Sequence, residues 1–339
     1  MNYKDGITIN GRHSYNDFGL YIAERNIGIP VKKVIKKTIP YMNGAYDFTM
    51  LNGVPAYEER QITYGFDITG ATVEEMEAEK ASVLAWLFMA QDVDIFDDAY
   101  PETHFHGSYT SDSWDEDGCQ GHLTVVFDVY PFRIANYEKV ISFNTADSTK
   151  IAINNGLPVK MDVNAPQGAT VAYSGNQYSV PSGKYRLPYV LPMGNSEITV
   201  TQPDVMTYTQ GSRTVNGISF VVSSTDRYVT ANGTATAQAW LYLRLQSAQG
   251  DLAVGDYRLL GSPSGGSLST YGVSLKIVKS DGTEIAMRDT GSGVIFSVDE
   301  DVTSVSIGIF IANGYTADGL AFYPRLYPIT KISWLEEVI

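Results

Sequence analysis

Only one stretch of this 339-residue chain repeats its apolar residues with a helical period, which leaves almost everything else to be built from strands. The stretch is ATVEEMEAEKASVLAWLFMA, residues 71–90. Val73, Met76, Val83, Leu84, Leu87 and Phe88 recur at spacings of three, four and seven and so line one apolar stripe. Thr72 with Glu75 three residues on is a capping box, and the acids crowding the first turns suit the positive end of the helix dipole. Elsewhere the runs ISFVV, SLKIV, SVSIGIFI and HLTVVFDVYPF are β-branched and aromatic, with Gly, Asn, Asp and Pro between them. Ser280-Asp281-Gly282 and Ala231-Asn232-Gly233 read as turns, because the glycine accepts a positive φ.

The length predicts two or three domains. Residues 204–328 form a long series of strands and turns with no helical pattern, and the short tail TKISWLEEVI follows them. Ile332, Trp334 and Val338 of that tail read as a strand expected to pair back with NSEITVTQPD, residues 195–204. The span 204–328 is then an insertion into a loop of another domain, tolerated where the two ends lie together at the surface.

Charge divides the chain in the same way. Residues 1–134 hold 21 acids against 10 bases, a net of −11, while 204–328 hold 11 against 8, a net of −3, within a total of −14. Such a balance disfavours nucleic-acid binding, which needs cations along the phosphates. One cysteine excludes an internal disulfide and fits a reducing compartment. No run approaches 18 apolar residues, so no membrane span is expected, and MNYKDGITING lacks the apolar centre of a signal peptide.

The stretch PETHFHGSYTSDSWDEDGCQGH, residues 101–122, concentrates three of the four histidines and the only cysteine. Strand alternation places His104 and His106 on one face, and Cys119 and His122 would have to join them to complete a tetrahedral zinc site. The spacing matches no known signature, so no metal is assigned. Asp115-Glu116-Asp117-Gly118 reads as a hairpin turn rather than a calcium loop. Gly261-Ser262-Pro263-Ser264-Gly265 resembles a nucleophile elbow but has Pro263 at the nucleophile position. No histidine follows residue 122, and no cofactor fingerprint appears. No catalytic residue and no cofactor is assigned. A glycosidase needs only two carboxylates, but the acids of the insertion, Asp256, Asp281, Glu284, Asp299, Glu300 and Asp301 among them, fall at turns and strand ends.

Several stretches resemble the distal tail proteins of siphophages that infect Gram-positive bacteria. They are INGRHSYNDFGLYIAERN, with Asn10-Gly11 and Phe18-Gly19-Leu20; VKKVIKKTIPYMNGAYDFT; the helix; Arg60 to Phe66; and GHLTVVFDVYPFR, ending in Tyr130-Pro131-Phe132. The order and spacing of these markers over about 130 residues carry the resemblance. It implies a mainly β fold with one amphipathic helix in three parts. Residues 1–134 are an N-terminal ring-type β-sandwich domain with the helix. Residues 135–203 plus 329–339 are a discontinuous galectin-like β-sandwich. Residues 204–328 are an inserted jelly-roll sandwich like a carbohydrate-binding module.

The resemblance further implies a non-enzymatic hexameric ring at the distal end of the virion tail, assembled in the host cytoplasm. The ring would join the major tail tube protein to a tail-associated tip protein, with an extended arm clasping the neighbouring subunit. The module would bind host cell-wall saccharide. Asp92, Asp94, Asp97 and Asp98 are expected to face a DNA-carrying lumen. Lys32-Lys33-Val34-Ile35-Lys36-Lys37 reads either as such an arm or as an edge strand guarded by lysines.

Saccharide contacts use aromatic faces and a few polar groups. Of Trp240, Tyr242, Tyr257, Tyr271, Tyr315 and Tyr323, the expected site is Trp240, Tyr242, Tyr257 and Tyr315. In AQAWLYLRL, Trp240 and Tyr242 share one face and Leu241 and Leu243 the other, and which face is the core stays open here. Two alternatives of other classes also remain: a wall-polysaccharide-degrading tail enzyme and a bacterial surface lectin.

Overall fold

The computed structural model describes residues 5–41, 43–49, 55–208, 211–247 and 252–339. Their side chains bury into three separate apolar clusters.

The first cluster runs from Ile7 to Val129. It lies under an antiparallel sheet ordered Arg12–His13, Ile7–Ile9, Val93–Asp97, Thr103–Asp117, Gln120–Val129, Arg60–Thr69 and Tyr21–Ile27. Alternation sets the inward face: Leu123, Val125, Phe127 and Val129 are buried along a single strand. The sheet curls over itself. Arg25 on one edge strand donates through Nε and Nη2 to the Asp97 carboxylate, at 2.9 and 2.8 Å, although several strands separate them in the sheet. Tyr64 donates its hydroxyl to the same carboxylate at 2.9 Å. Burial, and then the negative charge of Asp97, hold the Tyr64 phenol well above its ordinary pKa.

The helix spans Val73–Phe88. Thr72 caps it by accepting from the Glu75 amide, and Glu75 accepts from the Ala71 amide. The expected stripe needs correcting at both ends, because Val73 and Phe88 are exposed. Its buried residues are Met76, Val83, Trp86 and Leu87. Trp86 donates to the Ile9 carbonyl at 3.1 Å and stacks on Phe18 at 4.8 Å. Phe18 belongs to a second, short helix, Ser14–Phe18, that the periodicity did not reveal.

The second cluster, from Phe143 to Val200 with Ile332 and Trp334, fills a sandwich of two four-stranded sheets. One is ordered Lys139–Phe143, Thr330–Trp334, Val159–Ala165 and Gly183–Leu191. The other is Asp147–Asn154, Gly194–Thr201, Ala169–Tyr173 and Asn176–Val180. The returning strand Thr330–Trp334 therefore pairs with Lys139–Phe143 and Val159–Ala165, and not with the 195–204 segment, which lies in the opposite sheet. The two ends still meet, because Thr330 donates through its amide and hydroxyl to Gln202 Oε1 at 3.3 and 2.7 Å. The last strand, Glu337–Val338, leaves this sandwich and pairs with Arg133–Ala135 of the first sheet.

The third cluster gathers buried residues from Met206 to Leu326. Three sheets enclose it: Arg213–Val215, Ile218–Ser223, Tyr228–Thr234 and Thr316–Phe322; Ala239–Ser247, Val302–Ile311, Tyr271–Lys279 and Glu284–Asp289; and Val294–Val298, Gly255–Leu260 and Arg325–Pro328. Gly282 makes its turn at φ 83°. Asn232-Gly233 does not: it is a bulge within Tyr228–Thr234, where the register shifts and Gly233 takes φ 113° with the Gly217 carbonyl 2.3 Å from where a Cβ would stand.

Candidate functional site

Along Ala239–Ser247 the alternation resolves which face is the core. Ala239, Leu241 and Leu243 are fully buried, and Trp240 and Tyr242 lie half-buried on the outer face. Their rings are nearly parallel, 14° apart, with centroids 5.9 Å apart. The register sets Trp240 beside Phe310 and Tyr242 beside Gly308. On the next strand Gly272 and Ser274 continue those two rows, and Arg288 lies beside Ser274 on the strand beyond.

The two glycines keep the middle of this face low. A Cβ on Gly308 would meet the Leu241 carbonyl oxygen at 2.6 Å, and one on Gly272 would meet the Arg288 side chain at 2.6 Å. Arg288 therefore lies across Gly272 and sets its guanidinium over the Phe310 ring, 3.7 Å from the centroid and 6.0 Å from that of Trp240. Its Nε donates to Ser274 Oγ at 2.8 Å and its Nη1 to the Leu268 carbonyl. Burial draws its pKa below the ordinary arginine value. A parallel aromatic pair with a fixed cation and a hydroxyl beside it is the equipment for holding a sugar ring and its substituents.

The other expected residues lie elsewhere. Tyr257 is 0% exposed. It sits in the strand Gly255–Leu260, donates its hydroxyl to the Ala253 carbonyl at 2.7 Å and accepts from Gln167 of the neighbouring sandwich at 3.0 Å. Burial removes it from any surface site. Tyr315 is half-buried at one end of the core, its ring 5.2 Å from that of the buried Tyr271. Tyr323 sets its ring 6.0 Å from that of Tyr228, tilted by 41°, and the strand of Tyr228 belongs to a different sheet. Phe310 and Arg288 are the members that sequence reading missed. Phe310 was findable, since it has the parity opposite to Ile307, Ile309 and Ile311 in SVSIGIFI.

His104 and His106 share the Asp94 carboxylate, with His104 Nε2 3.5 Å from it, but His122 does not join them. His106 lies between two carboxylates, Nδ1 2.8 Å from Asp94 and Nε2 3.0 Å from Asp92. The hydrogen bond to Asp94 raises its pKa; burial opposes this, and the hydrogen bond to Asp92 with the two negative charges keeps the net shift upward. His104 meets Asn136 at 2.8 Å, and His122 meets Asp67 at 2.7 Å. His122 lies opposite Asp115, eleven residues along the strand from His104, about 35 Å at the usual strand rise. Among the described residues, no group of three or more His, Cys, Asp and Glu is close enough to hold a metal ion. Of the four acids expected to line a lumen, Asp97 is buried on Arg25, Asp98 pairs with His13 at 3.0 Å, and Asp92 and Asp94 hold His106. Lysines pair with some of the acids of residues 204–328: Lys331 with Asp256 at 2.7 Å, Lys276 with Glu284 at 2.7 Å and Lys279 with Asp301 at 3.0 Å.

A second surface is the excursion between Tyr21–Ile27 and Arg60–Thr69. Its root is clamped, with the Gly28 amide donating to Gln61 O at 3.2 Å and buried Arg60 donating to Gly28 O at 3.2 Å. Beyond the root, Glu58 donates to Val31, Lys33 to Ala56 and Phe48 to Ile35, and Lys36–Lys37 pairs with Tyr46–Asp47. The end of the lysine run, Lys36–Lys37, is thus one strand of a two-stranded arm, and Lys32 makes a single bridge to Tyr57. The arm leaves Ile29 81% exposed, Val31 62% exposed and Tyr41 fully exposed.

No family model matches this sequence, and no curated protein matches it. Among solved structures, the chain is similar to the Dit protein of phage SPP1, described as a paradigm of the hub adsorption apparatus in phages infecting Gram-positive bacteria. That likeness covers 99% of each chain at 10% identity with a TM-score of 0.41. It is similar to a chain of the phage P2 baseplate in its activated conformation with calcium over 96% of this chain and 92% of that one, at 9% identity and a TM-score of 0.27. It is also similar to the isomalto-dextranase of Arthrobacter globiformis T6 complexed with panose, over 56% of this chain and 36% of that one, at 11% identity and a TM-score of 0.17. All three TM-scores lie below 0.5, so the chain's own residues carry the function proposed for it.

Proposed function

We propose that this chain is a structural distal tail protein of a siphophage: a hexameric ring at the tail tip that joins the tail tube to the tip proteins and carries an inserted module for host-wall saccharide. The observation that carries this reading is the arm. Large apolar side chains held out on a two-stranded arm lose free energy to water unless another surface covers them. The clamp of Gly28, Gln61 and Arg60 fixes the direction in which the arm leaves. A second copy of the chain is the partner always present at equal concentration. The ordered markers Asn10-Gly11, Phe18-Gly19-Leu20, Arg60 to Phe66 and Tyr130-Pro131-Phe132 support the same family.

The module supports the adsorption half of the reading. It presents Trp240 and Tyr242 on an outer face, and its carboxylates at Asp256, Glu284 and Asp301 are paired with lysines rather than facing one another across a cleft. Antibodies raised against residues 204–328 are expected to label virions at the distal end of the tail. Label along the tail shaft, on the head or nowhere would overturn the assignment. Purified wall polysaccharide incubated with the protein is expected to release no reducing sugar, whereas release would favour a degrading enzyme.

A further inference from the structure

We infer that the outer aromatic face takes an anionic saccharide, with the pyranose against Trp240 and Tyr242 and its phosphate or carboxylate group on Arg288. This rests on the saccharide reading of the module and names the ligand class of that site.

Among the described residues, Arg288 is held without a counter-charge: no carboxylate pairs with it. Glu284, on its own strand, pairs with Lys276 at 2.7 Å. Asp289, the next residue, is buried and accepts from the amides of Ser262, Gly291 and Gly293 at 2.7–2.8 Å. A half-buried guanidinium with no acid beside it gives up hydration without a compensating ion pair. Its position is nonetheless fixed by three separate contacts: Ser274 Oγ, the Leu268 carbonyl and the Phe310 ring. Those contacts use Nε and Nη1. An immobilised fork with a free edge is prepared to bind a planar carboxylate or a phosphate, which a lysine would meet only as a point charge.

The neighbours complete the site. The Trp240 ring centre is 6.0 Å from the Arg288 guanidinium carbon, so one substituted sugar can touch both. Gly272 makes room for the Arg288 side chain to lie across it. The loop that supplies the Leu268 carbonyl also carries the hydroxyls of Ser267 and Ser269, which lie 3.1 Å apart at its exposed rim. Aromatic stacking would hold the ring, the serine hydroxyls would meet its hydroxyls, and Arg288 would select the charge.

The test is isothermal titration of the full chain with three sets of oligosaccharides matched in length: neutral, uronate-bearing and glycerol-phosphate-substituted. At least one charged set is expected to bind roughly tenfold or more tightly than the neutral set, with the difference shrinking as salt rises. Which charged set wins distinguishes a carboxylate source from a phosphate source. Arg288→Gln is expected to bring the charged sets down to the neutral affinity, and Trp240→Ala to weaken all three sets. Inorganic phosphate added to the unaltered protein reads the same contact without any substitution and is expected to displace the charged sets only. Equal affinity for all three sets, or a charge preference that survives both Arg288→Gln and phosphate, overturns the inference while the saccharide reading stands. Failure of every set to bind overturns both.

Discussion

Trp240 and Leu241 are adjacent in the chain and face opposite ways, so substituting each one tests a different property. Leu241→Ala empties part of the module's core and is expected to cost about 2–5 kcal/mol in chemical denaturation. Trp240→Ala is expected to cost much less stability and to abolish binding of the full chain to host cells. If the Trp240→Ala protein binds host cells as before, the outer face is not the site. Asp97→Ala leaves the half-buried Arg25 and the buried Tyr64 hydroxyl without their acceptor, and is expected to destabilise by about 2–3 kcal/mol. His106 has a pKa raised by Asp94 and Asp92. Its contribution to stability is therefore fully present below the unfolded imidazole value and lost as pH rises through the higher folded one. A nuclear magnetic resonance titration is expected to place its midpoint above that of a free imidazole, and His106→Gln is expected to remove that part of the pH dependence. At this scale the sequence was legible where strand parity decided the outcome, as for Trp240, Tyr242, Leu241 and Leu243. It was not legible for Tyr257 and Tyr315, because an aromatic residue suits a core and a binding face equally, and only the packing of a distant sheet separates the two.

Among the elements, the helix was readable from its stripe and cap, yet its ends were not. Val73 and Phe88 fit the period but are the first and last residues of the helix and stay more than half exposed, although Phe88 still touches Tyr109. Trp86 lies three residues from Val83, on the same stripe, and could have been found. Asn232-Gly233 has the composition of a turn and is a bulge instead, because the Gly217 carbonyl closes on it from the turn between Arg213–Val215 and Ile218–Ser223, a contact outside the reach of local sequence. The arm is the element whose role is most exposed to test. Replacing residues 31–56 by a short Gly-Ser connection removes it and keeps Tyr57, whose ring packs 4.8 Å from that of buried Phe132. The account expects the remaining protein to keep its melting transition and to lose self-association, as read by analytical ultracentrifugation.

For the whole molecule, three separate cores and a discontinuous second sandwich follow from one arrangement, in which Gln202 and Thr330 are hydrogen-bonded to each other on either side of the 204–328 segment. That proximity was legible in outline from the helix-free insertion and the orphan tail. The strand pairing was not, since the returning strand joins Lys139–Phe143 across the sandwich rather than its sequence neighbour. Deleting 204–328 with a two-residue bridge is expected to leave a folded protein that assembles and no longer adsorbs to host cells. The most direct measurement of the central claim is native mass spectrometry of the full chain, alone and with the tail tube protein, at rising concentration. The account predicts a species at six times the 37.2 kDa chain mass that disappears when the arm is removed. A monomer at every concentration, unchanged by the tube protein, would contradict it.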